Sequence, residues 1–246
     1  MAHDGETIRV NYARPVPIFP LDSVVLLPHA TIRLYIFEAR YRHMVSDILD
    51  SAGNIAMAVF DGERWRDDYD GSPPVRPAVC IGHLIHHEGM PDGTSKIWIR
   101  GLCRARIVEE HEPTDERPYR TATLAPADDP PSNDTESLAD HTVDRLVASL
   151  RQDPLGGLSA VRAVLDQITA ADGATTPLSP SALLDIVSLG VLAGLGDREL
   201  LYDLLATASL TDRCAIVLSR IDELGGILRR VERQFDAEAP AGVSWN

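Results

Sequence analysis

Few side chains in this chain have the types and spacing to do chemistry. The densest metal-capable group is His83-Leu84-Ile85-His86-His87-Glu88. A zinc protease sets two histidines one helical turn apart with a glutamate between them, and this order matches neither that pattern nor its inverse. On a regular strand His83 and His87 face one way while His86 and Glu88 face the other, so at most two ligands converge. Surface or hydrogen-bonded histidines are the simpler reading. The one lysine is Lys96, in Gly93-Thr94-Ser95-Lys96-Ile97. Without Gly-Lys-Ser/Thr there is no P-loop to embrace phosphates, and any serine–lysine pair would have to use Lys96. Ser159, in Gly157-Leu158-Ser159-Ala160-Val161, lacks the final glycine of a nucleophile elbow.

Arg100, Arg104 and Arg106 would share one face of an extended segment, as an RNA-binding stripe requires. Glu109, Glu110 and Glu112 follow at once, however, and no stacking aromatics are interleaved. Cys80, Cys103 and Cys214 are odd in number, far apart and outside any CxxC, which argues against a disulfide framework or a zinc knuckle. No metal and no cofactor are expected.

The composition belongs to an ordinary globular protein. The 246 residues carry 37 acidic and 23 basic side chains, a net charge of −14, and are 44% apolar and 24% charged. That length gives one large domain or two modest ones. The acidic excess opposes nucleic-acid binding, because neutralising phosphates takes clustered Lys and Arg. No apolar run reaches membrane-spanning length, and the opening Met-Ala-His-Asp-Gly-Glu has no signal-peptide character. The expectation is a cytoplasmic protein without membrane contact.

The elements that must position these residues change character near residue 130, at Ala125-Pro126-Ala127-Asp128-Asp129-Pro130-Pro131. Before it, short β-rich runs dominate: 16–21, 24–27, 31–36, 55–60, 79–87, 96–100, 103–108 and 119–124, with Gly101 interrupting the pattern. Gly89-Met90-Pro91-Asp92-Gly93 is a hairpin turn. Phe37, Tyr41, Met44, Val45, Ile48 and Ala52 make one apolar helical stripe over 37–52, and 61–77 reads as a long acidic surface loop. Beyond the seam the period is helical. Helices are predicted over 135–151, with Leu138, Leu146 and Leu150 on one side, and over 158–171. Another, very apolar, is capped by Ser179-Pro180; a short one is capped by Asp197; a long one is capped by Thr211, with Gly225-Gly226 as a bend point.

The stretches Pro17-Ile18-Phe19-Pro20-Leu21, Val25-Leu26-Leu27-Pro28 and Leu34-Tyr35-Ile36-Phe37-Glu38-Ala39-Arg40-Tyr41-Arg42 resemble the opening of the N-terminal domain of Lon proteases. Ile81-Gly82, Asp92-Gly93, Arg100-Gly101-Leu102-Cys103-Arg104-Ala105-Arg106 and Arg117-Pro118-Tyr119 agree with it. Arg198-Glu199-Leu200-Leu201-Tyr202 and Thr211-Asp212-Arg213 are similar to that domain's helical extension. The resemblance implies an α+β fold: a PUA-like β pseudo-barrel with one packed helix, followed by a C-terminal α-helical bundle. The expected layout is an N-terminal tail 1–15, a β-rich subdomain 16–125, a linker 126–134, a helical subdomain 135–236 and a disordered tail 237–246.

With no Walker A motif and one lysine on a hairpin, the Lon ATPase and serine–lysine protease modules are not expected here. The resemblance implies a non-enzymatic recognition module for unfolded or exposed polypeptide segments. Its expected use is protein quality control, as an adaptor for a separate ATP-dependent protease, and its expected state is a monomer or a weak dimer. Alternatives are a hydrolase with an unrecognised site between the subdomains, or an RNA binder through the barrel.

Phe19, Leu21, Leu27 and Phe37 read as core by default, although Phe37 also sits in the family motif. Glu38 would stabilise the helix start and pair with Arg42, leaving Arg40 to hold a loop or a carboxylate. Tyr35 lies on the opposite strand face from Ile32, Leu34 and Ile36, beside Arg33, where a reader of extended peptides needs an aromatic wall. Trp65 and Tyr69 of the acidic loop would form the other wall. The candidate binding residues are therefore Tyr35, Phe37, Glu38, Arg40, Trp65 and Tyr69.

Overall fold

The computed structural model describes residues 10–67, 71–130, 133–172 and 178–238. They form an α+β protein with strands β1 (Val16–Leu21), β2 (Thr31–Ile36), β3 (Asn54–Val59), β4 (Ala78–Gly89), β5 (Ser95–His111) and β6 (Thr121–Pro126). The helices are α1 (Ala39–Leu49), α2 (Asn133–Leu150), α3 (Ser159–Asp172), α4 (Pro180–Val187), α5 (Arg198–Ala206) and α6 (Leu210–Glu238). Two compact units result, one built through Asp128 together with Asp197–Ala208, the other from Asp129–Gly196 and Ser209 onward.

In the first unit the sheet runs β2-β5-β4-β3-β1-β6, and β6 also pairs with β5. Five strands therefore close into a ring while β2 remains an edge. β1 and β3 are parallel, Ile18 opposite Ala56, joined through β2 and α1. A ring this small has little room inside, and Ala56, Ala58, Ala105 and Ala122 fill it alongside Val16, Ile18, Val79, Ile81 and Leu124. Helix α1 buries Tyr41, Met44, Val45 and Ile48, with Phe19 edge-on to Tyr41 at 4.5 Å. The segment just before β1 also belongs to this unit: Val10 and Tyr12 pack on the barrel core, and the Tyr12 hydroxyl meets Cys103 Sγ at 3.4 Å.

β5 runs unbroken through Gly101, and one edge of it serves two partners. Residues 95–100 pair with β2 and residues 105–111 with β6. At the changeover Ile81 faces Cys103 while Gly82 faces Gly101, so Leu102 is an extra residue that bends the hairpin. A Cβ on Gly101 would lie 2.2 Å from the Leu27 carbonyl oxygen, and one on Gly82 would lie 2.3 Å from Ile99 Cγ2. The expected strand at 24–27 does not form. Val25, Leu26 and Leu27 are buried, but Pro28 has no N–H and His29 turns the chain at φ 65°, so the segment docks as a loop. The His29 N–H donates to the Gly101 carbonyl at 3.0 Å, and the Gly101 N–H donates to the Ala30 carbonyl at 2.8 Å.

Where the sequence pattern suggests an unbroken helical subdomain, Asp197–Ala208 instead joins the first unit. Asp197 caps α5 by accepting from the Leu200 N–H at 3.0 Å. Arg198 reaches Asp22 at 2.9 Å and Arg76 reaches Glu199 at 2.7 Å. The Ala78 N–H donates to the Tyr202 hydroxyl at 2.9 Å, and the buried Arg104 donates from Nε to the Leu204 carbonyl at 3.2 Å.

In the second unit α2 buries Ala139, Val143, Leu146 and Leu150, whereas Leu138, expected on that stripe, is 52% exposed. Ser179 caps α4 as expected, accepting from the Ala182 N–H at 3.3 Å. The long apolar helix predicted after it opens at Ser188 into a π turn through Leu192 and a 3₁₀ turn through Leu195. Gly190 permits this turn to meet α3, since a Cβ there would fall 2.1 Å from Val164 Cγ2. The cap of α6 is Ser209, which accepts from the Asp212 N–H at 3.2 Å, and not the expected Thr211. Helix α6 continues through Gly225-Gly226 and buries Cys214, Val217 and Ile221. Of the expected tail, residues 239–246 lie outside the described residues.

The Gly101 contact makes a stability prediction. Gly101→Ala should lower the unfolding free energy by about 1–3 kcal/mol, the usual penalty of forcing atoms into a filled site. Gly157→Ala, where a Cβ meets nothing within 4 Å, should change it by no more than about 0.5 kcal/mol. Urea midpoints of the two variants check this.

Candidate functional site

The edge strand β2 and the residue that follows it carry the two sequence candidates that the fold leaves most accessible, Tyr35 and Phe37. β2 is antiparallel to β5 with Arg33 opposite Trp98 and Tyr35 opposite Lys96. Directly opposed residues share a face. The outward face therefore holds Thr31, Arg33 and Tyr35 from β2 beside Arg100, Trp98 and Lys96 from β5. Ile32, Leu34 and Ile36 turn the other way, with Ile36 fully enclosed.

Tyr35 is 53% and Phe37 62% exposed, and their rings stack at 6.2 Å with 28° between planes. Phe37 is thus surface, not core: the chain leaves β2 after Ile36, and the ring stacks on Tyr35. A hydrogen-bond chain fixes Tyr35. Its hydroxyl donates to Thr94 Oγ1 at 3.0 Å, and Thr94 donates to Asp92 Oδ1 from its hydroxyl at 2.6 Å and its N–H at 3.0 Å. Those donors, the hydroxyl first, hold the Asp92 carboxyl below the usual aspartate range.

The remaining candidates go elsewhere. Glu38 precedes α1 in an extended conformation and pairs with Arg40 at 3.0 Å, not with Arg42. Arg42 instead reaches the hairpin turn, its Nη1 3.0 Å from where a Gly93 Cβ would stand. The Arg40 guanidinium lies 4.8 Å over the Tyr41 ring and lines a cavity of about 20 Å³ with Tyr119 and Arg120. That space admits little more than one water. Trp65 is half-buried and stacks on Phe60 at 5.1 Å, so it acts as packing for the first unit. Tyr69 lies outside the described residues.

Bulges rewrite two faces that regular alternation misassigns. The register shift between Leu84 and His86 makes Ile85 an extra residue. His83, His86 and Glu88 then face Arg100, Trp98 and Lys96, and only His87 turns away. His83 Nδ1 meets Asn54 Oδ1 at 3.2 Å, and the His86 ring lies 4.5 Å from Trp98. Among the described residues no three His, Cys, Asp or Glu side chains are placed to hold a metal ion. The bulge at Leu102 turns Arg100 to the face opposite Arg104 and Arg106; Arg100 and Arg106 are exposed, while Arg104 is 2% exposed and bonded to the Leu204 carbonyl of α5. No helix among the described residues is long and apolar enough to cross a membrane.

A five-strand ring with an edge strand attached, followed by a helical unit, and displaying aromatic residues at that edge, has the features of a binding domain. The chain belongs to the family described as the ATP-dependent protease La (LON) substrate-binding domain, whose sequence model matches residues 15–223. Its fold is similar to the solved N-terminal domain of Mycobacterium avium complex Lon protease, with a TM-score of 0.58 and 16% identity over 85% of this chain and 98% of that one. The Lon protease of Chloroflexus aggregans is 25% identical over 232 residues, 92% of this chain and 26% of that protein. The Lon protease of Escherichia coli K12 is 30% identical over 95 residues, 37% of this chain and 12% of that protein. The chain therefore spans about a quarter or less of the length of these relatives.

The Asp92 carboxylate should hold the Tyr35 anchor intact across neutral and mildly acidic pH and release it only as pH falls through its lowered value. Thr94→Val, which removes the hydroxyl bonds, should move the NMR titration midpoint of Asp92 up toward an ordinary aspartate. An unchanged midpoint would show that the turn is not held this way.

Proposed function

We propose that this chain is a non-enzymatic polypeptide-binding module that takes extended, unfolded segments along the open edge of β2. The single observation that carries the reading is the stacked, exposed Tyr35–Phe37 pair on an edge strand of a substrate-binding family member. An edge strand offers unpaired backbone groups to an incoming chain, and adjacent aromatics provide the contact that makes such pairing worth more than water. The Thr94–Asp92 anchor supports this role, because a ring already held in place loses little freedom on binding.

On this reading the module serves protein quality control in the cytoplasm, as an adaptor delivering clients to a separate ATP-dependent protease. Glu38 and Arg40 are positioning residues, setting the start of α1 so that Phe37 folds onto Tyr35, and Trp65 supports the neighbouring loop. The module works as a monomer or weak dimer and needs no cofactor.

The Tyr35→Ala/Phe37→Ala double variant should bind a permanently unfolded protein, such as reduced carboxymethylated α-lactalbumin, at least about tenfold more weakly, the effect of losing interface hot-spot side chains. Its unfolding free energy should stay within about 0.5 kcal/mol, as for surface changes generally. Trp65→Ala should do the reverse, lowering the melting temperature with little effect on affinity per folded molecule. Equal binding by the double variant would sink the reading.

A further inference from the structure

The outward face beside the Tyr35–Phe37 pair is basic on a chain of net charge −14. Arg33, Lys96 and Arg100 are all exposed, and Lys96 is the chain's one lysine. Glu88, opposite Lys96, is the one carboxylate among the residues paired across this three-strand face. Among the described residues none of the three cations is in an ion pair. Arg33 is moreover held ready: its guanidinium stacks 4.7 Å over Trp98, and the His86 ring from β4 lies 4.5 Å from Trp98. Stacking fixes the plane of the guanidinium and leaves its N–H edge available, the arrangement suited to a carboxylate.

We infer that the segments this module prefers are acidic as well as apolar, with a carboxylate two residues from an aromatic or branched side chain. The inference rests on the polypeptide-binding reading above and names the class of segment. A strand added to β2 would lie about 4.8 Å away, with alternate side chains on the outward face. A position beside Arg33 and the next same-face position beside Tyr35 are two residues apart, so one side chain meets the guanidinium and the other the Tyr35–Phe37 stack. Arg100 and Lys96 add attraction from the neighbouring strand.

Single-stranded nucleic acid, the other polyanion with flat groups, fits this face less well. Trp98 is flanked by Arg33 on one strand and His86 on the other, so the ring is not an open stacking platform. The chain's overall negative charge also repels a long polyanion.

Fluorescence anisotropy with three short peptides of one alternating pattern, Phe with Glu, Phe with Ser and Phe with Lys, tests this beside oligodeoxythymidine. The Glu peptide should bind about tenfold or more tighter than the Ser peptide, and the Lys peptide weakest. Added salt should shrink that spread. Arg33→Glu/Arg100→Glu should reverse the ranking, and Arg33→Lys should keep its order with a smaller preference. Tyr35→Ala/Phe37→Ala should weaken all three peptides together. A ranking unmoved by the charge reversal overturns the acidic preference and leaves polypeptide binding standing. Failure of all three peptides overturns both, and oligodeoxythymidine binding more tightly than the Glu peptide overturns the preference in favour of nucleic acid. Circular dichroism melts of each variant confirm that the folded protein is being compared.

Discussion

One strand edge shared by two partners underlies the first unit. β5 must close the barrel with β6 over 105–111 and carry β2 over 95–100, and a flat strand cannot do both. The bend comes from Leu102 as an extra residue and from the facing glycines Gly82 and Gly101, which bring backbone where side chains would otherwise stand. The Leu27 carbonyl occupies the space beside Gly101, and hydrogen bonds from His29 and to Ala30 tie the preceding loop to that residue. β2 follows directly from this loop. The loop that leads into β2, the strand of Tyr35, is thus seated against the backbone of Gly101.

A second constraint comes from α5, and it is mostly polar. Three arginines tie this helix and its N-terminal end to the strands and loops of its unit: Arg76 and Arg198 through ion pairs, and Arg104 through the Leu204 carbonyl. The Arg76 guanidinium also lies 3.3 Å over the Tyr202 ring. The Arg76 hydrogen bond holds the Glu199 carboxyl below its usual range, and burial pushes the Tyr202 phenol up. Such contacts fix orientation more than they add stability, because the Arg76 and Arg198 pairs are partly exposed and weakened by water, while the buried Arg104 gives up its hydration. Their geometry selects one seat for a short leucine-rich helix that hydrophobicity alone would let pack on many surfaces.

The regular elements are legible in the sequence where one period runs uninterrupted. β1 and β2 have the predicted bounds, and Ser179 and Asp197 cap the helices expected of them. Departures gather where a single inserted residue changes parity. Ile85 moves His86 to the face of His83, and Leu102 separates Arg100 from Arg104. Gly101 is a local mark of the Leu102 bulge, whereas the Ile85 bulge has none in the sequence. In α2 the choice of Ala139 over Leu138 likewise depends on which side faces the other helices. Tyr35 is legible because strand alternation sets it apart from Ile32, Leu34 and Ile36. The exposure of Phe37 is not, because it follows the last strand residue and alternation no longer applies.

An exposed edge bearing two aromatics invites pairing with another copy of the same edge. The cations beside it bear on that hazard. In an antiparallel pairing of two β2 edges, Arg33 of each copy would be brought near the other, and Lys96 and Arg100 lie one strand behind. Like charges so close oppose the association, while an acidic segment meets the same charges as attraction. The same charges thus oppose self-pairing of the exposed edge, and on the proposed reading they favour an acidic segment in its place.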